Sequence, residues 1–273
     1  SGGNELGGQL TSHPLVKKIS FTGSIATGKK VAEAAASDLK RVTLELGGND
    51  PAIVLPDANV EAIAARLYWS TFFNCGQICL AVKRIYVAEQ LFQPLTAART
   101  KLAQSTGVGE GLDPKTQVGP LNNAMQLERV ISLTDDAKRR GAKVHAGGER
   151  LGRKGYFYPP TILSNVTDDM PIVAEEQFGP VLPVLPYTDV EDAVQRANAT
   201  HFGLGASVWG TDLARATEVA EQIDSGTVWV NQHVALTPKA PFTGAKQSGI
   251  GRASGRWALE SFLQEHVINV NRG

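Results

Sequence analysis

Apolar positions along the chain fall into two rhythms that take turns. "KKISF" and "RVTLEL" have the alternation of strands, whereas "ATGKKVAEAAAS" and "NVEAIAARLYWSTFF" place apolar residues three and four apart, the spacing of one helix face. "PAIVL" reads as a buried strand. After "NCGQICL" come a strand, "KRIYV", a helix over 89–105, a Gly/Pro-rich connector around "GEGLDPKTQVGPL", and a polar helix through "NNAMQLERVISLTDDAKRR". "AKVHAGG" and "YFYPPTIL" read as strands or extended segments, and Pro159 and Pro160 favour a sheet edge because proline cannot donate to a ladder. "GPVLPVLPY", "VEDAVQRANA", "GLGASVW", "DLARATEVAEQI" and "GTVWVN" then repeat strand, helix, strand, helix, strand. The glycine- and proline-rich "APFTGAKQSGIGRASG" connects to a last helix and a terminal strand, "HVINV", of the kind that pairs outside its own domain. This order predicts an α/β fold with a parallel sheet.

Composition narrows the picture without changing it. With 273 residues, 42% hydrophobic, the chain can build one large or two moderate cores. Lys+Arg and Asp+Glu both number 27, so no global field favours nucleic acid or an anionic membrane. No apolar run approaches the roughly 20 residues of a bilayer span, and a soluble, cytoplasmic protein is expected. Two cysteines, Cys75 and Cys79, are too few for a disulfide framework, and the five histidines have no partners at ligand spacing, so no metal is expected. The chain opens without methionine in "SGGNELGG", which reads as a loop between elements, so an N-terminally truncated protein is expected.

Four stretches carry candidate chemistry. In "FTGSIATGKK", Gly23 to Lys29 fit seven places of the triphosphate loop G-x-x-x-x-G-K-S/T, but Lys30 stands where the magnesium-binding hydroxyl belongs. A strand running into glycines and a helix N-terminus can still hold an anion, with Ser24 either binding phosphate or only capping the helix. In "RVTLELGGND", Glu45 lies within an apolar strand; burial would raise its pKa toward that of a general base, and a solvent-facing glutamate is the plain alternative. In "FFNCGQICLAVKR", Cys79 follows a glycine turn, where helix dipoles and Lys83 or Arg84 could hold it partly as thiolate; Cys75 has the ordinary fate of a buried thiol. In "AEEQFGP", Glu175, Glu176 and Phe178 suit a ribose hydroxyl and a flat ring, or mere packing.

Together these segments resemble the NAD(P)-dependent aldehyde dehydrogenase superfamily. In family order stand F-T-G-S (Phe21 to Ser24), L-E-L-G-G (Leu44 to Gly48), G-Q-x-C (Gly76 to Cys79), E-x-F-G-P (Glu176 to Pro180) and a late P-F-x-G-x-K-x-S-G-x-G-R pattern (Pro241 to Arg252). The resemblance implies an aldehyde-dehydrogenase-like α/β fold, with a partial Rossmann-like cofactor domain over 1–47, a parallel-sheet catalytic domain over 48–247, and a return to the cofactor domain with a terminal oligomerisation strand over 248–273. It implies Cys79 as nucleophile and Glu45 as general base, with Gly23, Ser24, Leu46, Gly47, Glu176 and Phe178 at NAD or NADP. The implied partners are a small aldehyde and a second copy of the chain, as homo-dimer or homo-tetramer. The aromatics near Cys79 (Trp69, Phe72 and Phe73) would line the substrate side.

Departures from the family pattern matter for turnover. The upstream P-W-N and K-P-x-E segments are absent, Thr243 replaces the usual glycine, and Ala253 replaces a glutamate near the general base, so weaker deacylation is expected. A folded, self-associating module without activity, or one half of a split enzyme, is the alternative; triphosphate hydrolysis ranks below both.

Overall fold

The computed structural model describes residues 3–273. The opening glycines from Gly3 onward are helical, not a loop: α1 spans Gly3–Ser12. Then come β1 (Lys18–Thr22), α2 (Ile25–Ala36) and β2 (Arg41–Glu45), with β1 and β2 parallel and Thr22 paired to Glu45. Side chains alternate across β2, so Val42, Leu44 and Leu46 pack with Ile19, Phe21, Ile25 and Val31 under α2 while Thr43 and Glu45 face the other way. Ser24 caps α2 by accepting from the Thr27 N–H at 3.2 Å.

The remainder builds a larger layer. The elements run β3 (Asp50–Val54), α3 (Val60–Phe72), β4 (Val82–Ala88), α4 (Glu89–Ser105), α5 (Ala124–Arg139), β5 (Lys143–Ala146), β6 (Thr161–Ser164), α6 (Pro171–Ala174), β7 (Val181–Tyr187), α7 (Val190–Asn198), β8 (Gly205–Trp209), α8 (Leu213–Ala220) and β9 (Thr227–Val230). Seven strands pair in the order β5-β6-β7-β4-β3-β8-β9, all parallel except β5 against β6. β3 and β4 are buried throughout, as continuous apolar runs in a sheet covered on both faces must be. One face packs against Leu67, Tyr68 and Phe72 of α3 and Leu95 of α4; the other packs against α5, α7 and α8 through Val130, Ala193 and Val219. Each fully buried Val, Leu or Phe among these contributes about 1.5–3 kcal/mol.

Pro159 and Pro160 do not mark an edge: they precede β6, which lies between β5 and β7, and the edge position belongs to β5. β7 itself contains Pro183 and Pro186, and it accommodates them by changing neighbours, pairing with β6 over Val181 to Pro183 and with β4 over Val184 to Tyr187. The long C-terminal connector is partly structured, because β10 (Gly249–Ile250) pairs antiparallel with β2 as the third strand of the smaller sheet, before α9 (Gly255–Glu260). "HVINV" forms no strand, and Val267, Ile268 and Val270 are exposed.

Candidate active site

Cys79 is positioned by a sharp reversal between α3 and β4. Asn74, Cys75 and Gly76 take three successive left-handed conformations, with φ of 51°, 57° and 68°. Two of the three carry a Cβ, at a cost of about 1–2 kcal/mol each, and packing of the turn against the Gly179–Pro180 backbone holds them there. Glycine is required at 76, because a Cβ would collide with the Gly179 carbonyl. Glycine is equally required at 48, where a Cβ would stand 2.5 Å from the Cys79 carbonyl oxygen. Cys75 disappears into the core, where burial pushes its thiol up to about 12.

A cavity of about 910 Å³ opens in front of Cys79. Gly23, Ser24, Leu46, Gly47, Cys79, Glu176 and Phe178 all line it, although they come from segments flanking strands of both sheets and from positions up to 155 residues apart (178 minus 23). The N-terminus of α2 contributes Ile25 and Ala26 to the same wall, so backbone N–H groups with no helical partner border the space. Glu176 accepts from the Gly48 N–H at 3.1 Å and lies 3.7 Å from the Lys83 ammonium. Its carboxylate approaches Gly47 so closely that a Cβ there would strike Oε2. Burial raises the Glu176 pKa, and Lys83 and the Gly48 N–H pull against that. Phe178 sits at φ 47°, in the left-handed region, with its carbonyl and that of Gln177 both held by the Gln126 side-chain amide at 2.9 and 2.8 Å.

Glu45 is placed differently. Leu46 turns into the cavity, so the alternation of β2 sends Glu45 to the opposite face, and it is not part of the lining. It is 8% exposed, and neither carboxylate oxygen has a hydrogen-bond partner. Burial therefore raises its pKa from an ordinary 4.5 to about 7. The backbone N–H of Ala253 draws it slightly down, but that N–H is already donated to the Phe242 carbonyl at 2.7 Å. The alanine that departs from the family pattern is thus Glu45's neighbour. The other departure, Thr243, donates from its hydroxyl to the Gly251 carbonyl at 2.7 Å.

The thiolate expectation for Cys79 needs correction. Burial dominates and raises its pKa; Lys83 lowers it, Asp50 and Glu176 raise it, and the Leu80 backbone N–H lowers it. Arg84 takes no part, because its guanidinium donates to the Asn49, Arg196 and Ala197 carbonyls and to Tyr86 Oη. Beyond Ile78, which lines both spaces, a second cavity of about 390 Å³ is walled by Trp69, Phe73, Trp209, His233 and Val234. Phe72, expected there, is instead fully buried against Tyr68, because it falls on the core face of α3.

Several lining residues carried no local sequence signal. Gln126 and Arg129 come from α5, and His201 and Phe202 from the turn before β8. Arg129 donates to the Glu176 carbonyl at 2.9 Å and to Glu175 at 3.0 Å. Asp50 and His233, 3.5 Å apart, are buried behind Cys79. Among the described residues no group of three or more His, Cys, Asp or Glu gathers as metal ligands, and no helix is long and apolar enough to cross a membrane.

Residues 1–268 match the family model described as the aldehyde dehydrogenase family. The chain belongs to the aldehyde dehydrogenase family. It is 41% identical over 272 residues to human retinaldehyde dehydrogenase 3, covering 99% of this chain and 53% of that protein. The solved NAD+ complex of aldehyde dehydrogenase from Bacillus cereus superposes with a TM-score of 0.91 at 41% identity, over 94% of this chain and 52% of that one. An Escherichia coli NADP-dependent enzyme superposes with a TM-score of 0.93 at 37% identity, over 96% and 55%. The fold expectation is borne out by these superpositions. The chain spans about half the length of the family members it matches.

Proposed function

We propose that the protein oxidises an aldehyde to a carboxylic acid with NAD+ or NADP+, using Cys79 as nucleophile and Glu45 as general base. One observation carries the reading: Cys79 shares a cavity with the N-terminus of α2, Glu176 and Phe178. The residues present fit a dinucleotide, since free N–H groups suit a pyrophosphate, the Glu176 carboxylate suits ribose hydroxyls, and Phe178 offers an apolar ring to a nicotinamide. The names of the Bacillus cereus and Escherichia coli structures support one cofactor each, so both NAD and NADP are retained.

When bound, the nicotinamide supplies the acceptor for a hydrogen leaving with its electron pair. The Cys79 thiolate adds to the aldehyde carbon, the C=O π bond breaks, and backbone N–H donors including that of Cys79 hold the oxygen anion. Loss of the carbon's hydrogen with its electrons leaves a thioester on Cys79. Glu45 turns from its pocket beside Ala253, takes a proton from water as the water oxygen attacks the thioester, and the Cys79 sulfur departs. The second cavity, walled by Trp69, Phe73 and Trp209, suits an apolar or aromatic aldehyde.

Purified protein given NAD+ or NADP+ and a panel of aliphatic and aromatic aldehydes should form reduced nicotinamide and carboxylic acid in equal amounts, and Cys79→Ser should form neither. Turnover that survives Cys79→Ser sinks the proposal. A second reading, a folded module that self-associates without turnover, is favoured by the raised Cys79 pKa and the exposed Val267, Ile268 and Val270. It requires an oligomer in which iodoacetamide modifies Cys79 no faster than an ordinary exposed thiol.

A further inference from the structure

Lys83 is buried to 2% exposure, an uncommon place for an ammonium, and its surroundings explain how it is kept there. Lys83 Nζ donates to the carbonyls of Ile78 and Cys79 at 2.8 Å each and of Ala81 at 3.3 Å, so its hydrogens are taken up by the turn that carries the nucleophile. Its remaining close partner is the Glu176 carboxylate at 3.7 Å, across the cofactor cavity wall. The Lys83 backbone is fixed as well, because its carbonyl accepts from Gln177 Nε2 at 2.9 Å, one residue beyond Glu176. One side chain thus joins the sulfur-bearing turn to the segment that holds Glu176 and Phe178.

We infer that Lys83 is a positioning residue of the proposed reaction, gathering the Cys79 turn by its carbonyls and serving as the counter-ion that Cys79 and Glu176 share. This rests on the assignment of Cys79 as nucleophile. The charged groups facing Cys79 are Lys83 from β4, Asp50 from β3 and Glu176 from the loop before β7, with His233 3.5 Å behind Asp50. With Lys83 the three formal charges sum to minus one; without it they sum to minus two. A thiol becoming a thiolate in that setting depends on the one cation, which is a different requirement from packing a turn.

The test is the pH profile of Cys79 alkylation by iodoacetamide, read by mass spectrometry of the Cys79 and Cys75 peptides, in the wild-type chain and in Lys83→Met, Lys83→Gln and Lys83→Arg. Lys83 Nζ lies 2.8 Å from the Cys79 carbonyl oxygen, and a nearby opposite charge is worth about one pKa unit, so Lys83→Met should alkylate about tenfold more slowly below the midpoint, with the midpoint moved up. Lys83→Arg should keep the wild-type profile. Lys83→Gln keeps donors for the carbonyls without the charge; it should behave like Lys83→Met and carries the test should methionine prevent folding. A reactive wild-type Cys79 with an unchanged profile in the neutral variants overturns the role of Lys83 alone. A wild-type Cys79 that never reacts at any pH overturns the nucleophile assignment together with it.

Discussion

Replacing Glu45 by glutamine isolates the energetic consequence of an unpaired buried carboxyl. Its pKa moves from 4.5 to about 7, first because burial disfavours the charged form, with Ala253 opposing. At about 1.36 kcal/mol per pKa unit the displacement of about 2.5 has a ceiling of roughly 3.4 kcal/mol, reached only if the folded-state value is the full 7. The sign follows from proton counting. Between pH 4.5 and 7 the folded protein keeps a proton that the unfolded chain has lost, so this group's contribution falls as pH rises through that window and is level above it. Glutamine cannot ionise. Urea unfolding of both proteins from pH 4.5 to 8 should therefore show Glu45→Gln gaining about 1–3 kcal/mol on the wild type across the window, whatever constant offset its amide introduces. A difference between the two proteins that is the same at pH 5 and pH 8 would refute the burial of an unpartnered carboxyl. Under the proposed function the same titration predicts hydrolysis of a Cys79 thioester that rises through pH 7, because only an ionised Glu45 carboxylate can take a proton from water.

Adjacent glycines should respond differently to alanine. At Gly47 the obstacle is the Glu176 carboxylate, the far end of a flexible side chain, so Gly47→Ala should keep stability within about 1 kcal/mol while weakening dinucleotide binding in a fluorescence titration. At Gly48 the obstacle is the Cys79 backbone carbonyl, and Gly48→Ala should cost about 1–3 kcal/mol in a urea melt. Ala253→Glu puts a second carboxylate beside Glu45 and should move the pH midpoint of thioester hydrolysis above 7; an unmoved midpoint would separate the two positions. Arg99 is wholly buried, with Nε and Nη1 unpaired and its pKa pushed down to about 9 by burial, so Arg99→Met should be neutral or stabilising by about 1–2 kcal/mol, checked by the urea midpoint.

The elements were legible wherever one period persisted. α4 over residues 89–105 and the alternating β2 needed only local spacing, and the motif order of Phe21 to Ser24, Leu44 to Gly48 and Gly76 to Cys79 pointed to the family from sequence alone. Segments whose conformation depends on a neighbour were not legible. The run from His266 to Val270 has strand composition but pairs with no strand, and Pro159 and Pro160 say nothing about which strands flank Thr161. Within the site, motif residues were found but their directions were not. That Glu45 faces away from Leu46 follows from alternation only once the filled side of β2 is known, and nothing in "LAVKR" tells that Lys83 folds back onto its own turn while Arg84 reaches α7. Gln126 and Arg129 lie on a helix of ordinary polar composition and meet the cavity only through the tertiary fold.

The strand order has a consequence for how the molecule loosens. β4, which begins three residues after Cys79, is fourth of seven, with three strands on either side. Partial opening that starts at β5 or at β9 has to break two ladders before it reaches a ladder of β4, so amide protons of Ile85 to Val87 should be among the slowest to exchange with solvent. The strand that follows Cys79 then survives fluctuations that free the outer strands, and the surroundings of that sulfur come apart only with the sheet itself.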